Sequence, residues 1–148
     1  MSTYTRIIYQ VVFATKRRRP TLIRRNRPQF YAYVAGILRE QGCTVFAING
    51  VADHVHLVFS LHPSVALARL IKDIKVASSA FIKRHRLFPD FDYWGIGYGA
   101  FTYTREALPN LVRYVDNQEL HHGEVTSREE LRALLHAHDI PYQEAYLP

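Results

Sequence analysis

Apolar residues along this chain recur at two periods, and the switches between them mark out the elements. Tyr4–Thr15 (YTRIIYQVVFAT) is β-branched and aromatic with apolar residues on both alternating faces, which predicts a central strand. Phe30, Tyr33, Val34, Ile37 and Leu38 recur at helical spacing, with Asn26 as cap, Pro28 in the first turn and Gly42 as stop. Thr44–Ile48 predicts a second strand, Asn49-Gly50 a turn, and His54–Leu61 (HVHLVFSL) a third strand. Ser64 is placed to cap a long helix whose apolar stripe is Leu67, Leu70, Ile71, Ile74, Ala77 and Phe81. Leu87–Gly97 reads as irregular and Tyr98–Tyr103 as a fourth strand. A third helix is expected from Ala107 to His121, with Pro109 tolerated in its first turn. Ser127-Arg128-Glu129-Glu130 has the form of a capping box opening a fourth helix that ends near Asp139-Ile140-Pro141. Tyr142–Pro148 remains as a tail.

The order β-α-β-β-α-β predicts an α+β, ferredoxin-like (RRM-like) antiparallel sheet with helices on one face and additional C-terminal helices. Those extra helices would lie over or beside the open face, or reach a partner subunit. Neither a repeat nor a linker interrupts residues 1–148, so one domain is expected.

Composition narrows the class. Hydrophobic content of 48% and charged content of 22% suit a globular protein. No apolar run approaches a membrane span, and the N-terminus lacks a signal-peptide core. Cys43 is the single cysteine, which excludes an intrachain disulfide and points to a cytoplasmic setting. The net charge of +6 is concentrated in the first quarter: residues 1–41 carry nine Arg or Lys against one acid, the rest ten against twelve. Lys16, Arg17, Arg18 and Arg19, followed by Arg24, Arg25 and Arg27, form a cluster suited to a polyanion such as nucleic acid. Its plainer reading is a solvated basic loop.

Candidate chemistry centres on His54-Val55-His56. On a strand, positions i and i+2 share a face, so both imidazoles project together while Val55, Leu57, Phe59 and Leu61 fill the other side. Downstream, Tyr114 and Gln118 stand four apart, on one face of a helix. Two imidazoles, an amide oxygen and a phenol suffice for metal-assisted attack on a phosphodiester. Each alone has a plain structural reading: a His pair on a strand, a rim tyrosine, a solvated glutamine. Likewise His121 and His122 complement a helix C-terminus, and Trp94, Tyr98, Phe101 and Tyr103 read as core or sheet-face aromatics.

Taken together, the segments YQVVFATKRRRP (9–20), GCTVFAINGVADHVHLVFSLHP (42–63), IKDIKVASSAFIK (71–83), WGIGYGAFTYT (94–104), YVDNQELHH (114–122) and HDIPYQEAYL (138–147) resemble the TnpA-type HUH transposases. These single-tyrosine enzymes move insertion sequences as single-stranded DNA, and REP-associated tyrosine transposases are close relatives. The resemblance maps the HUH motif onto His54, Val55 and His56, the nucleophile onto Tyr114 and the third metal ligand onto Gln118. It departs at two positions, Gln10 and Gly95, where relatives often carry His and Gln; both bear on local DNA contacts. It implies a DNA transposase that cleaves and rejoins single-stranded DNA at hairpin-bearing ends through a 5′-phosphotyrosine. The resemblance further implies a divalent metal, with Mg²⁺ or Mn²⁺ suiting mixed N/O ligands, and a homodimer in which one subunit's helix can complete the other's histidine site. Lys16–Arg19 would lie near phosphates. No nucleotide cofactor is expected, because the intermediate retains the bond energy and no P-loop is present. The alternatives are a non-catalytic RRM-like module binding single-stranded nucleic acid, a water-using phosphoesterase, and a domesticated HUH endonuclease acting on genomic palindromic repeats. An RNP signature for the first and a second His-x-Ser/Thr motif for the next are both missing.

Overall fold

The structure, a computed structural model, describes residues 2–147 apart from Glu124. Four strands form one antiparallel sheet in the order β2-β3-β1-β4, with β1 Ile8–Ala14, β2 Thr44–Gly50, β3 His54–Ser60 and β4 Gly99–Tyr103. Helices α1 (Arg27–Glu40) and α2 (Leu67–His85) supply the two crossovers of the expected βαββαβ order. They cover the face bearing Val11, Phe13, Val55, Leu57 and Phe59, where Phe30, Val34, Leu38, Leu70, Ile71, Ile74, Ile82 and Trp94 complete the main core. Strand β3 therefore divides by parity as the alternation predicts.

The opposite face is also covered. Helix α3 (Leu108–Asp116) lays Leu108, Leu111 and Val115 on Ile8, Ala47 and Val58. Short α4 (Gln118–His121) and then α5 (Ser127–Ala137) continue across this side. His54 and His56, on that face, are 2% and 0% exposed, so the candidate site is an interior one.

Several local expectations are corrected. Strands β1 and β4 are shorter than expected, beginning at Ile8 and Gly99. Asn49-Gly50 is not a turn: both residues stay in β2, opposite His56 and Val55, and the chain reverses over 51–53. Gly50 is needed there for close approach, since a Cβ would stand 2.3 Å from the His54 carbonyl oxygen. Asn26 does not cap α1 with its side chain, which donates instead to the Leu87 carbonyl at 2.8 Å. Ser64 does not cap α2, which begins only at Leu67; it hydrogen bonds His62 at 2.7 Å. The expected third helix divides at Asn117, whose ψ of 21° leaves the helical range. The capping box sits one residue early: Thr126 accepts from the Glu129 amide at 3.2 Å, which leaves Ser127 and Glu130 free for other work.

Candidate active site

One carboxylate organises the site. Glu130, in the first turn of α5, is 2% exposed and lies against the histidine-bearing face of β3. Its Oε1 stands 3.1 Å from His54 Nε2, 2.9 Å from His56 Nε2 and 2.9 Å from His122 Nε2. Its Oε2 accepts from the Tyr114 hydroxyl and, at 3.0 Å, from Gln118 Nε2. His121 Nε2 lies 3.3 Å from the same oxygen. A single chain thus brings together His54, His56, Tyr114 and Gln118, the four residues singled out from sequence. The break at Asn117 does not separate Tyr114 from Gln118, because both still reach Glu130.

The far nitrogens of the paired imidazoles are also engaged. His54 Nδ1 is 2.7 Å from Asp53 Oδ1, and Asp53 Oδ2 accepts from Ser127 at 3.0 Å. His56 Nδ1 meets the Gln10 amide at 3.1 Å, and the Tyr103 hydroxyl donates to Gln10 Oε1 at 2.7 Å. Such partners hold imidazole rings in one orientation and select a tautomer. Gln10, one of the two departures noted from sequence, is fully buried and bonded to His56 rather than placed on a DNA-facing surface. Gly95 donates its amide to the Ala14 carbonyl at 2.8 Å, and its own carbonyl accepts from Lys75 at 2.9 Å.

The electrostatics follow from burial and these contacts. Burial alone would raise the Glu130 carboxyl, but hydrogen bonds from His122, His54 and His56 outweigh it and hold the group far below the usual carboxylate range. Tyr114 is pushed well above the ordinary phenol value by burial and by the Glu130 charge. Burial lowers His56. Burial acts the same way on His54, yet Asp53 and Glu130 together raise it above its ordinary value. Asp53 lies below its ordinary value because His54, Ser127 and Arg18 outweigh its burial.

The donor set suits a cation. The Nε2 atoms of His54 and His56 converge on Glu130 Oε1, each backed on its other nitrogen. Gln118, whose Nε2 bonds the same carboxylate, keeps its Oε1 buried without a hydrogen-bond partner among the described residues, an orphaned acceptor of the kind a positive ion satisfies.

The basic cluster lies beside this centre rather than in it. Lys16 pairs with Asp92 at 3.4 Å, Arg18 donates to Ser127, and Arg17 and Arg19 are exposed. Arg24 and Arg27 both pair with Glu119, at 3.1 and 3.5 Å. A cavity of about 260 Å³ opens between the sheet and α5, reaching His54 and Glu130 and lined further by Val12, Gly99, Leu131 and Tyr146.

Four participants were not found from sequence: Glu130, His122, Gln10 and Asp53. Glu130 was assigned to a helix cap and His122 to a helix dipole. Asp53, next to His54, was the one with a signal in plain view.

Comparison with solved structures identifies the class of fold. A Deinococcus radiodurans protein provisionally described as a transposase superposes with a TM-score of 0.61 at 21% identity, over 80% of this chain and 95% of that one. A REP-associated tyrosine transposase bound to a REP hairpin superposes with a TM-score of 0.60 at 17% identity, over 84% of this chain and 76% of that one. Residues 3–118 match the profile of the family described as "Transposase IS200 like", and the chain belongs to that family. Comparison with curated proteins returned no match.

Proposed function

We propose that this protein cleaves and rejoins single-stranded DNA at hairpin-bearing ends, with Tyr114 as nucleophile and His54, His56 and Gln118 as ligands of a divalent cation, Mg²⁺ or Mn²⁺. The observation that carries this reading is the convergence of the Tyr114 hydroxyl with both histidine Nε2 atoms on the Glu130 carboxylate, inside one chain of a transposase family.

Tyr114 Oη forms a bond to phosphorus while the bond from phosphorus to O3′ breaks. The products are a 5′-phosphotyrosine and a free 3′-hydroxyl. The 3′-hydroxyl of another strand can then attack the phosphotyrosine, restoring a phosphodiester and freeing Tyr114. Glu130 Oε2 accepts the Tyr114 hydroxyl hydrogen and so holds the phenol oxygen beside the imidazoles. A divalent cation, when bound, supplies charge to a non-bridging phosphate oxygen and orients the leaving oxygen. His54 is steered by Asp53 and His56 by Gln10, which keeps both Nε2 atoms on target. The exposed Arg17 and Arg19, with the rest of Lys16–Arg19, supply a phosphate-binding rim. A hairpin is bound in one structural neighbour, and we extend that substrate form to this chain. The expected homodimer then associates two sites that are each complete within a subunit.

The test uses labelled single-stranded hairpin DNA with Mn²⁺ and a denaturing gel. The native protein should leave DNA covalently attached, and Tyr114→Phe should leave none while still binding DNA. An undiminished adduct in Tyr114→Phe would remove Tyr114 as nucleophile. Native protein that binds the hairpin without ever forming an adduct would favour a binding module.

A further inference from the structure

We propose that His122 and Glu130 are themselves metal ligands, so that three imidazoles and a carboxylate bind the cation. Such a site would favour first-row transition ions over Mg²⁺. The inference rests on the reading of the site as a metal centre. It goes beyond that reading because both residues lie outside the segment 3–118 that matches the family.

Four observations support it. The ligand atoms of His54, His56, His122 and Glu130 all lie within 4.8 Å of one another. Glu130 Oε1 is 2.9 to 3.1 Å from all three Nε2 atoms. Ligands bound at about 2.0–2.2 Å around one ion stand roughly 3.0–3.5 Å apart along a polyhedron edge, so the spacing suits a shared ion. Second, the side chains are 8% exposed or less, so the donors are withdrawn from bulk water. Third, the carboxylate is fixed from behind: Gln118 Nε2 and the Tyr114 hydroxyl hold Oε2, leaving Oε1 directed at the imidazoles. Fourth, Glu130 comes from α5 and His122 from the end of α4, so the C-terminal helices close the site over the sheet.

The donor chemistry then sets the ion. Mg²⁺ prefers oxygen and keeps its waters, whereas imidazole suits Zn²⁺, Fe²⁺ and Ni²⁺, with Mn²⁺ the weakest binder of the first-row transition series. A carboxylate ligand also leaves the bound ion a formal charge of about +1 for the phosphate. Glu130 further links ion and nucleophile, with Oε1 on the metal side and Oε2 on Tyr114.

The test measures metal affinity without DNA, by calorimetry on EDTA-stripped protein of full length with Mn²⁺, Zn²⁺ and Mg²⁺. Native protein should bind Mn²⁺ and Zn²⁺ at least about tenfold more tightly than Mg²⁺, and His122→Ala and Glu130→Ala should each weaken Zn²⁺ by more than about tenfold. If Glu130→Ala instead binds metal more tightly, Glu130 is a plug that competes with the ion, and the proposal falls. X-ray absorption on Zn²⁺-loaded native protein counts the imidazoles independently of any variant's folding. Three support the proposal, and two overturn it. A protein that meets these expectations yet never forms the DNA adduct keeps its metal site and loses the function proposed above.

Discussion

A carboxylate shut away from water needs a donor for each lone pair, and Glu130 has them from His54, His56, His122, Tyr114 and Gln118. Its neighbours depend in turn on residues farther out, and Gln10 is the clearest case. Its amide is the sole partner of His56 Nδ1 among the described residues, so Gln10→Ala should free the ring and empty a buried polar position. We expect metal affinity to fall by about 10- to 100-fold and stability by about 1–3 kcal/mol. Calorimetry and urea melts check both, and an unchanged metal affinity would show that Gln10 does not position His56. At this scale the sequence was partly legible. Strand parity put His54 and His56 on one face, and helical spacing put Tyr114 with Gln118. Neither period relates α5 to β3, which is why a glutamate 76 residues from His54 stayed hidden.

Between residue and fold, α5 shows how one register step changes a site. With Ser127 as cap, Glu130 would reach back to the helix start. With Thr126 as cap, Glu129 takes that place, Ser127 turns to Asp53 and Glu130 turns inward. Thr126→Ala should remove the cap and cost about 1 kcal/mol. The loss would show as a lower melting temperature and, if α5 closes the metal site, as weaker metal binding; a melting temperature equal to the native one would mean that the cap is dispensable. The adjacent Ser127 and Thr126 both have cap chemistry, and only the packing of α5 on the sheet selects between them. Asn49-Gly50 is a similar case. The pair favours a turn locally, but continued pairing with β3 holds both residues in the strand, and the glycine serves the contact with His54. The βαββαβ order itself was legible because each core element carries its own apolar period.

For the whole molecule, charge decides what the fold presents to its surroundings. Within Lys16–Arg19 the structure leaves Arg17 and Arg19 exposed, while Lys16 meets Asp92 and Arg18 meets Ser127. Replacing only Arg17 and Arg19 with Ala should flatten the salt dependence of hairpin binding by about 1.4 in log–log slope, the share of two single-strand phosphates. Binding titrations across salt read this directly, and an unchanged slope would place the DNA elsewhere.

Acid should act on the interior instead. Glu130 and Asp53 titrate lower in the folded chain than their ordinary values of 4.5 and 3.8, so the unfolded chain binds more protons as pH falls. Their contributions are therefore complete above those values and disappear below them. The imidazoles act nearer neutrality with opposite signs. His54, raised, favours folding below its ordinary value of 6.5 and loses that effect as pH rises through its folded value; His56, lowered, favours folding above 6.5 and loses that effect as pH falls. The two act on opposite sides of 6.5, so metal-free protein should have its highest urea midpoint near that pH, decline below it as His56 takes up its proton, and lose stability more steeply below pH 4.5. In Glu130→Gln that acid decline should be shallower, because an amide cannot take up the proton. Urea melts of EDTA-treated protein across this range decide it. An equally steep decline in Glu130→Gln would show that other carboxylates govern acid unfolding, and that the charge on Glu130 does not hold α5 to the sheet.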